Sequence, residues 1–141
     1  MDEKKYSTFL NCNKCISYNG GEFIGVSTVV KLSNFKQKEV NGTKLTTARA
    51  RIANRSNVLS AVLGQTITPD EYGNVWVEVT FWDSKSDRIG KYLGDRETAR
   101  VFLVGALSCR TFEKEDGTTG IGITIRASDW APAEGRPASA E

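Results

Sequence analysis

The sequence of 141 residues contains no histidine. Histidine is the commonest general base and the commonest metal ligand, so its absence excludes histidine-dependent catalytic triads and histidine-rich metal sites. No apolar run approaches the roughly 20 residues that a membrane-spanning helix needs. The first residues also lack the hydrophobic stretch and cleavage site of a secretory signal. We therefore expect a cytoplasmic protein that has no membrane partner.

Cysteine is scarce, and the three that are present do not make a disulfide framework. Cys12 and Cys15 form a Cys-x-x-Cys pair, a spacing that zinc sites and redox centres share. Structural zinc takes four protein ligands, and Cys109 alone cannot complete such a site. A redox pair precedes a helix, whereas the turn sequence NGG follows this one at residues 19–21. We interpret the thiols as incidental, with a site shared between subunits as the alternative, and expect no cofactor and no metal.

The net charge is only +2, but the basic residues are unevenly distributed. Residues 26–60 contain seven lysines and arginines and one glutamate, whereas residues 61–126 contain eight basic and ten acidic residues. A basic segment of this kind is an electrostatic feature of nucleic-acid-binding proteins. The sequence offers no nucleophile–base pair, metal cluster or phosphate-binding loop, so we expect neither an enzyme nor a small-molecule substrate.

The first half of the chain contains two predicted strands and a long irregular segment. Strand-like sequence begins over residues 22–32, and Asn41-Gly42 is a strong turn signal after it. A second strand, over residues 45–54, alternates small apolar residues with arginines. Glycine and proline in residues 54–74 predict a long hairpin-like loop, with a frayed strand around residues 58–63 as the alternative.

The most informative strand reads NVWVEVTFWD over residues 74–83. Side chains of a strand alternate between two faces, and four apolar residues fill one face here. Trp76 and Trp82 therefore share the other face with a carboxylate and a hydroxyl. In the preceding strand Arg49 and Arg51 also point outward, so we expect tryptophans and arginines side by side on a solvent-facing surface.

After residue 83 the spacing of the apolar residues changes from that of a strand to that of a helix. Residues 84–93 repeat apolar positions at helical spacing, and Gly94 is a suitable stop. Two more strands follow, over residues 100–113 and from about residue 119, joined by a turn at Asp116-Gly117. From Asp129 onward the residues are mostly small or polar and include prolines, a composition that predicts disorder.

Five strands with one short helix between the third and fourth predict an all-β, five-stranded OB-fold Greek-key barrel. An SH3-like barrel and an open sheet under a helix are alternatives for the same elements. Gly25, Gly105 and Gly122 lie inside strands, where barrel closure needs sharp bends. We expect three regions: an N-terminal extension over residues 1–22 that is either flexible or an oligomerisation arm, the OB domain over 23–128, and a disordered tail over 129–141.

Three segments also resemble one protein family. They are GVSTVVKLSN at residues 25–34, VWVEVTFWDSKSDRIGKYL at residues 75–93, and VFLVGALSCRTFEKEDGTTGIGITIRA at residues 101–127. In order and spacing they are similar to the first strand, the third strand with its helix, and the last two strands of the bacterial, plasmid and phage single-stranded DNA-binding proteins. The resemblance spans about residues 23–127.

This resemblance implies roles for particular residues. Trp76, Trp82 and Phe112 fall where the family has base-stacking aromatics, and Arg110 falls on the arginine of its fourth-strand signature. A further stacking tryptophan of the family has no aromatic counterpart in residues 55–59. The acidic C-terminal tip that recruits partner enzymes is also missing, which favours a plasmid, phage or other mobile-element version. The family implies a homo-oligomer, either a tetramer or a dimer.

Physical chemistry independently favours the same partner. A single strand of DNA offers phosphates to cations and unstacked bases to aromatic rings. The candidate binding residues combine both kinds of group: Trp76, Trp82, Phe112, Arg49, Arg51, Arg55, Lys31, Lys36 and Arg110. Each has a simpler interpretation, because an exposed aromatic can pack under a loop or in a subunit interface and a lone cation can serve solubility.

We therefore predict a sequence-independent binder of single-stranded DNA that protects exposed strands in replication, repair or transfer of a bacterial or mobile-element genome. An OB-fold protein-interaction or replication accessory module is one alternative. An RNA-binding barrel of the cold-shock type is another.

Overall fold

The computed structural model describes residues 7–133 of the chain. Within this range it contains six strands and two helices: β1 (Leu10–Ile16), β2 (Glu22–Val40), β3 (Thr43–Ala53), α1 (Ser56–Leu63), β4 (Asn74–Trp82), α2 (Ser84–Leu93), β5 (Thr98–Glu113) and β6 (Thr119–Pro132). Neither helix is long and apolar enough to cross a membrane. The predictions for residues 1–6 and 134–141 lie outside the described residues.

Five of the strands close into a barrel. β2, β3 and β4 form an antiparallel meander, and β5 pairs antiparallel with both β6 and β2. β4 and β6 complete the closure by running parallel, with Glu78–Thr80 opposite Thr124–Arg126. The resulting order, β2-β3-β4-β6-β5 and back to β2 with α2 between β4 and β5, is that of an OB-fold. The predicted fold is confirmed.

The barrel interior is filled by the apolar rows that the strand period predicts. On β4, Val75, Val77, Val79 and Phe81 are all buried, and β3 contributes Ala48, Ala50 and Ile52 from its inward face. Full burial of each large aliphatic or aromatic side chain stabilises the fold by about 1.5–3 kcal/mol. Because these rows point inward, Arg49, Arg51 and Trp76 must point outward.

β1 is a strand in the region where we expected a flexible extension or an oligomerisation arm. It pairs antiparallel with Glu22–Thr28 of β2, and β3 pairs with the later part of β2, from Leu32 onward. Leu10 and Cys12 pack against the barrel core. Residues 10–16 therefore belong to the sheet, whereas an oligomerisation role for the extension stays a prediction.

The prediction of a loop or frayed strand over residues 54–74 is wrong in part, because Ser56–Leu63 form helix α1. Its apolar side chains recur at helical spacing, with Leu59 buried and Val62 and Leu63 packed against the core. Gly64 ends the helix in the left-handed conformation, with φ of 69°. Burial of this apolar face outweighs the strand preference of its two valines.

The predicted start of the disordered tail at residue 129 is also wrong, because β6 continues to Pro132. Trp130 is 7% exposed and meets the Phe81 ring edge-on, with centroids 6.4 Å apart. The Tyr92 ring of α2 lies 5.4 Å from it on another side. A large aromatic side chain between the barrel and α2 holds the end of β6 in the sheet.

Candidate nucleic-acid interface

The outward faces of β3 and β4 bring arginine and tryptophan together, as predicted. Arg51 lies in register with Trp76, and Arg49 lies in register with Glu78. The guanidinium carbon of Arg49 is 4.9 Å from the centroid of the Trp76 ring, a cation–π contact. Trp76 is 44% exposed. An aromatic ring has two faces, so a planar ligand can stack on the one that Arg49 does not cover.

Asp70 fixes the edge of the same indole. Trp76 Nε1 donates to Asp70 Oδ2 at 3.4 Å, while the backbone N–H groups of Tyr72 and Asn74 donate to Oδ1 at 2.9 and 3.0 Å. The hydrogen bond from Asn74, supported by those from Tyr72 and Trp76, lowers the pKa of the Asp70 carboxyl. The loop before β4 thus holds an ionised acceptor against the ring.

A groove of about 610 Å³, here called the basic groove, runs from Trp76 across the outer faces of β3, β2 and β5. Arg51 lies opposite Trp76 in the β3–β4 register, and Lys31 lies opposite Arg100 in the β2–β5 register. All four of these residues line the groove. Three cations therefore line one groove together with a half-exposed indole, an arrangement suited to a polyanion with planar groups.

A second groove, of about 470 Å³, lies on the other side of Trp76 and is here called the aromatic groove. Phe112, which is 44% exposed, lines it together with Lys114 and Asp70. A Cβ atom on Gly120 of β6 would lie 2.6 Å from the Phe112 ring, so the ring packs directly on that glycine. Trp76 is a wall of both grooves, so the two grooves adjoin each other at this residue.

Arg110 lies two residues before Phe112 on the same face of β5. It is in register with Gly122 of β6, where an added Cβ atom would lie 3.6 Å from the arginine Nε. Phe112 and Arg110 thus lie side by side over glycines of β6. Phe112 lines the aromatic groove, and Arg110 extends the positive charge beyond it.

Trp82 lies apart from Trp76, because six residues of extended strand separate the two by roughly 20 Å. The guanidinium carbon of Arg126 on β6 is 5.4 Å from the Trp82 ring centroid. Between the tryptophans, Lys36 and Arg49 line a smaller cavity with Glu78. The predicted residues therefore lie in several neighbouring clusters along β4 and its partners rather than in one groove.

Arg55 is used differently from the contact that we predicted. Its Nε donates to the carbonyl oxygen of Thr8 at 3.1 Å, and its Nη1 lies 3.4 Å from the carbonyl oxygen of Asn54. The side chain thus connects the N-terminal segment to the start of α1. A phosphate contact by Arg55 stays a prediction.

Cys12 and Cys15 point to opposite faces of β1. Cys12 packs against the core, and burial raises the pKa of its thiol. Cys15 faces outward, where it lines a cavity with Asn11 and Phe23. Because residues three apart in a strand point to opposite sides, the pair does not form a common ligand set within one chain.

Sequence reasoning missed several residues of the grooves. They are Phe9, Asp70, Arg100 and Lys114, and outside the grooves it also missed Arg126, whose guanidinium lies over the Trp82 ring. The alternation of side chains along a strand predicts that Arg100 and Arg126 face outward. Their neighbours on adjacent strands depend on the strand register, which a single sequence does not give. Asp70 precedes β4 in a turn, and its backbone hydrogen bonds appear only once the turn is formed.

Comparison with known proteins gives limited similarity. No known family's sequence profile matches the chain, and no curated protein sequence matches it. Among solved structures, it is similar to the crystal structure of Rim1, a mitochondrial single-stranded DNA-binding protein from S. cerevisiae, at 17% sequence identity and a TM-score of 0.47. The match covers 78% of this chain and 94% of the Rim1 chain.

Proposed function

We propose that this protein binds single-stranded DNA without regard to sequence. The observation that carries the proposal is the position of Trp76, which is a wall of both the basic groove and the aromatic groove. A strand lying along both grooves would place a base on the indole and adjacent phosphates near Lys31, Arg51 and Arg100 on one side and Lys114 on the other.

The geometry favours single strands over duplexes. Stacking on a protein ring needs a base whose face is free, and in a duplex that face is covered by the neighbouring base pairs. Each base stacked on an aromatic residue contributes about 1–3 kcal/mol, whichever base it is. Ring faces and phosphates are common to all sequences, so a site built from both does not select a sequence.

The biological setting is a further part of the proposal and rests on the sequence resemblance. A homo-oligomer in the cytoplasm would coat exposed strands during replication, repair or transfer of a bacterial or mobile-element genome. The protein acts by binding and has no enzymatic role in this proposal.

Tryptophan fluorescence offers a direct test. Titration with oligo(dT) is expected to quench the parent protein as bases stack on Trp76 and Trp82. The double variant W76A/W82A is expected to lose most of the quenching and to bind about 25-fold more weakly or worse, as two stacked bases are removed. Buried Trp130 remains as an internal emission reference in this variant.

If W76A/W82A bound labelled oligo(dT) as tightly as the parent does, stacking on β4 would be ruled out. Association that is unquenched and insensitive to salt would instead favour a protein-interaction module. Competition between oligo(dT) and oligo(U) of equal length distinguishes DNA from RNA, and tighter binding of oligo(U) would favour the RNA-binding alternative.

A further inference from the structure

An aromatic residue from outside the barrel lines the basic groove. Phe9 precedes β1 and is 53% exposed, yet it lines the same groove as Trp76 and the three cations. Its neighbour Leu10 packs against the core. The chain therefore buries one large apolar side chain and leaves the adjacent ring in a positively charged groove, where exposure of apolar surface is unfavourable unless a ligand covers it.

The backbone around Phe9 is held to three parts of the fold. The Thr28 hydroxyl donates to the Phe9 carbonyl oxygen at 2.6 Å, which attaches the residue to β2. The Thr8 N–H donates to the Ala53 carbonyl oxygen at 3.0 Å, and the Ala53 N–H donates to Thr8 Oγ1 at 2.7 Å, which attaches the segment to β3. Arg55 adds its bond to the Thr8 carbonyl oxygen. These bonds fix the point from which the Phe9 side chain enters the groove.

We propose that Phe9 is a further base-stacking residue and that Thr8 is the residue that positions it. Phe9 and Trp76 then supply two stacking surfaces in one groove, which Lys31, Arg51 and Arg100 also line. The single strand would continue from the aromatic groove past Trp76 and onto the outer face of β2. This inference rests on the proposed function and assigns it a residue outside the barrel.

Substitutions at Phe9 test the stacking directly. F9A is expected to weaken binding of an oligo(dT) long enough to fill both grooves by about 5- to 150-fold. F9Y keeps a ring and is expected to bind like the parent, whereas F9L keeps apolar bulk without a π-face and is expected to resemble F9A. Y18A is the matched control, because Tyr18 is a fully exposed aromatic in the turn between β1 and β2 and lines neither groove.

The positioning role of Thr8 has its own readout. T8V removes the acceptor for the Ala53 N–H and changes neither Phe9 nor any of the cations. It is expected to weaken oligo(dT) binding in the parent background but to have little further effect in F9A, since the two residues act through one contact. Equal effects of T8V in both backgrounds would reject the positioning role.

The outcomes separate this inference from the proposed function. If oligo(dT) quenches the parent and W76A weakens binding while F9A and F9L bind like Y18A, Phe9 does not stack and the proposed function stands. If the parent itself does not bind oligo(dT), both proposals fail. Urea unfolding of each Phe9 variant establishes whether it is folded, and loss of binding in F9L with full binding in F9Y would carry the inference even if F9A did not fold.

Discussion

At the scale of single residues, Trp76 is held on two sides before any ligand arrives. Arg49 lies over its face and Asp70 accepts from its indole N–H. A ring that is already oriented loses less conformational entropy when a base stacks on it, so this pre-organisation favours binding. Arg49 gives up no contact in the process if the base uses the opposite face.

Asp70 gives a prediction about pH. The lowered pKa means that the ionised carboxyl stabilises the fold above the unfolded-state value of 3.8, and that this contribution is lost as the pH falls through the lower folded-state pKa. D70N keeps an oxygen for the backbone N–H groups but has no charge. We expect D70N to be less stable than the parent at neutral pH, with a difference that shrinks on acidification.

The expected pH dependence of the stability difference is tested by the urea midpoints of the parent and D70N, measured from neutral pH to below pH 3.8. E71Q is the matched control, because it removes a neighbouring carboxylate that lies in the same loop. A stability difference that stays constant over the whole pH range would contradict the role assigned to the Asp70 charge.

Much of the residue-level site was predictable for a simple reason. Strand periodicity of two places Arg49, Arg51 and Trp76 outward once the inward row of valines is recognised. The contact of Arg49 with Trp76, and the position of Arg100 beside Lys31, depend on pairing between strands that are distant in sequence. Alternation also places Trp82 on the same face as Trp76, but it does not show that a separation of roughly 20 Å along the strand keeps Trp82 out of the grooves that Trp76 lines.

At the scale of elements, the close pairing of β5 with β6 depends on Gly105. The register shifts between Val104 and Gly105, and a Cβ atom on Gly105 would lie 2.2 Å from the carbonyl oxygen of Arg126. A backbone atom in a paired strand cannot move aside as the end of a flexible side chain can. Gly105 therefore permits the close approach of β6 at the register shift, an irregularity that a glycine inside a strand often marks.

We expect G105A to destabilise the protein by about 1–3 kcal/mol through overpacking against β6. G122A is the matched control, because its new Cβ atom would have only ordinary contacts, beginning 3.6 Å from Arg110 Nε. Equilibrium urea unfolding of both variants measures the effect. If G122A lost as much stability as G105A, a general cost of alanine in these strands would be the better explanation.

Two elements were missed because their local signals were weak. β1 reads LNCNKCI, and although Leu10 and Cys12 alternate with asparagines, asparagine and lysine have low strand propensity. α1 has only eight residues, no side-chain cap and no charged residues at its ends that would complement the helix dipole. Both elements are stabilised by tertiary contacts with the core, which a local pattern does not contain.

At the scale of the whole molecule, a net charge of +2 would by itself attract a polyanion only weakly. The closed barrel concentrates positive charge locally, because β2, β3 and β5 each bring one cation to the basic groove. The barrel itself was predictable, since strand order and the position of α2 leave few ways to close a five-stranded sheet. The convergence of Lys31, Arg51 and Arg100 in one groove was not predictable, because it requires the registers of three strand pairs.

The salt dependence of binding tests whether the attraction to DNA depends on the position of the cations in the basic groove or on the net charge of the protein. For single strands, the slope of log K against log salt concentration is about −0.7 for each phosphate neutralised. K31Q removes a cation from the basic groove and is expected to reduce the magnitude of the slope by about 0.7. K91Q removes an equal charge from α2, outside both grooves, and is expected to leave the slope unchanged.

Both variants carry the same net charge, so a purely global attraction predicts equal slopes for them. Titrations with oligo(dT) at several salt concentrations would separate the two explanations. Equal slopes for K31Q and K91Q would mean that the strand does not follow the basic groove. A smaller slope for K31Q alone would mean that the barrel acts by directing a modest charge onto one path, where each phosphate meets a cation next to a ring.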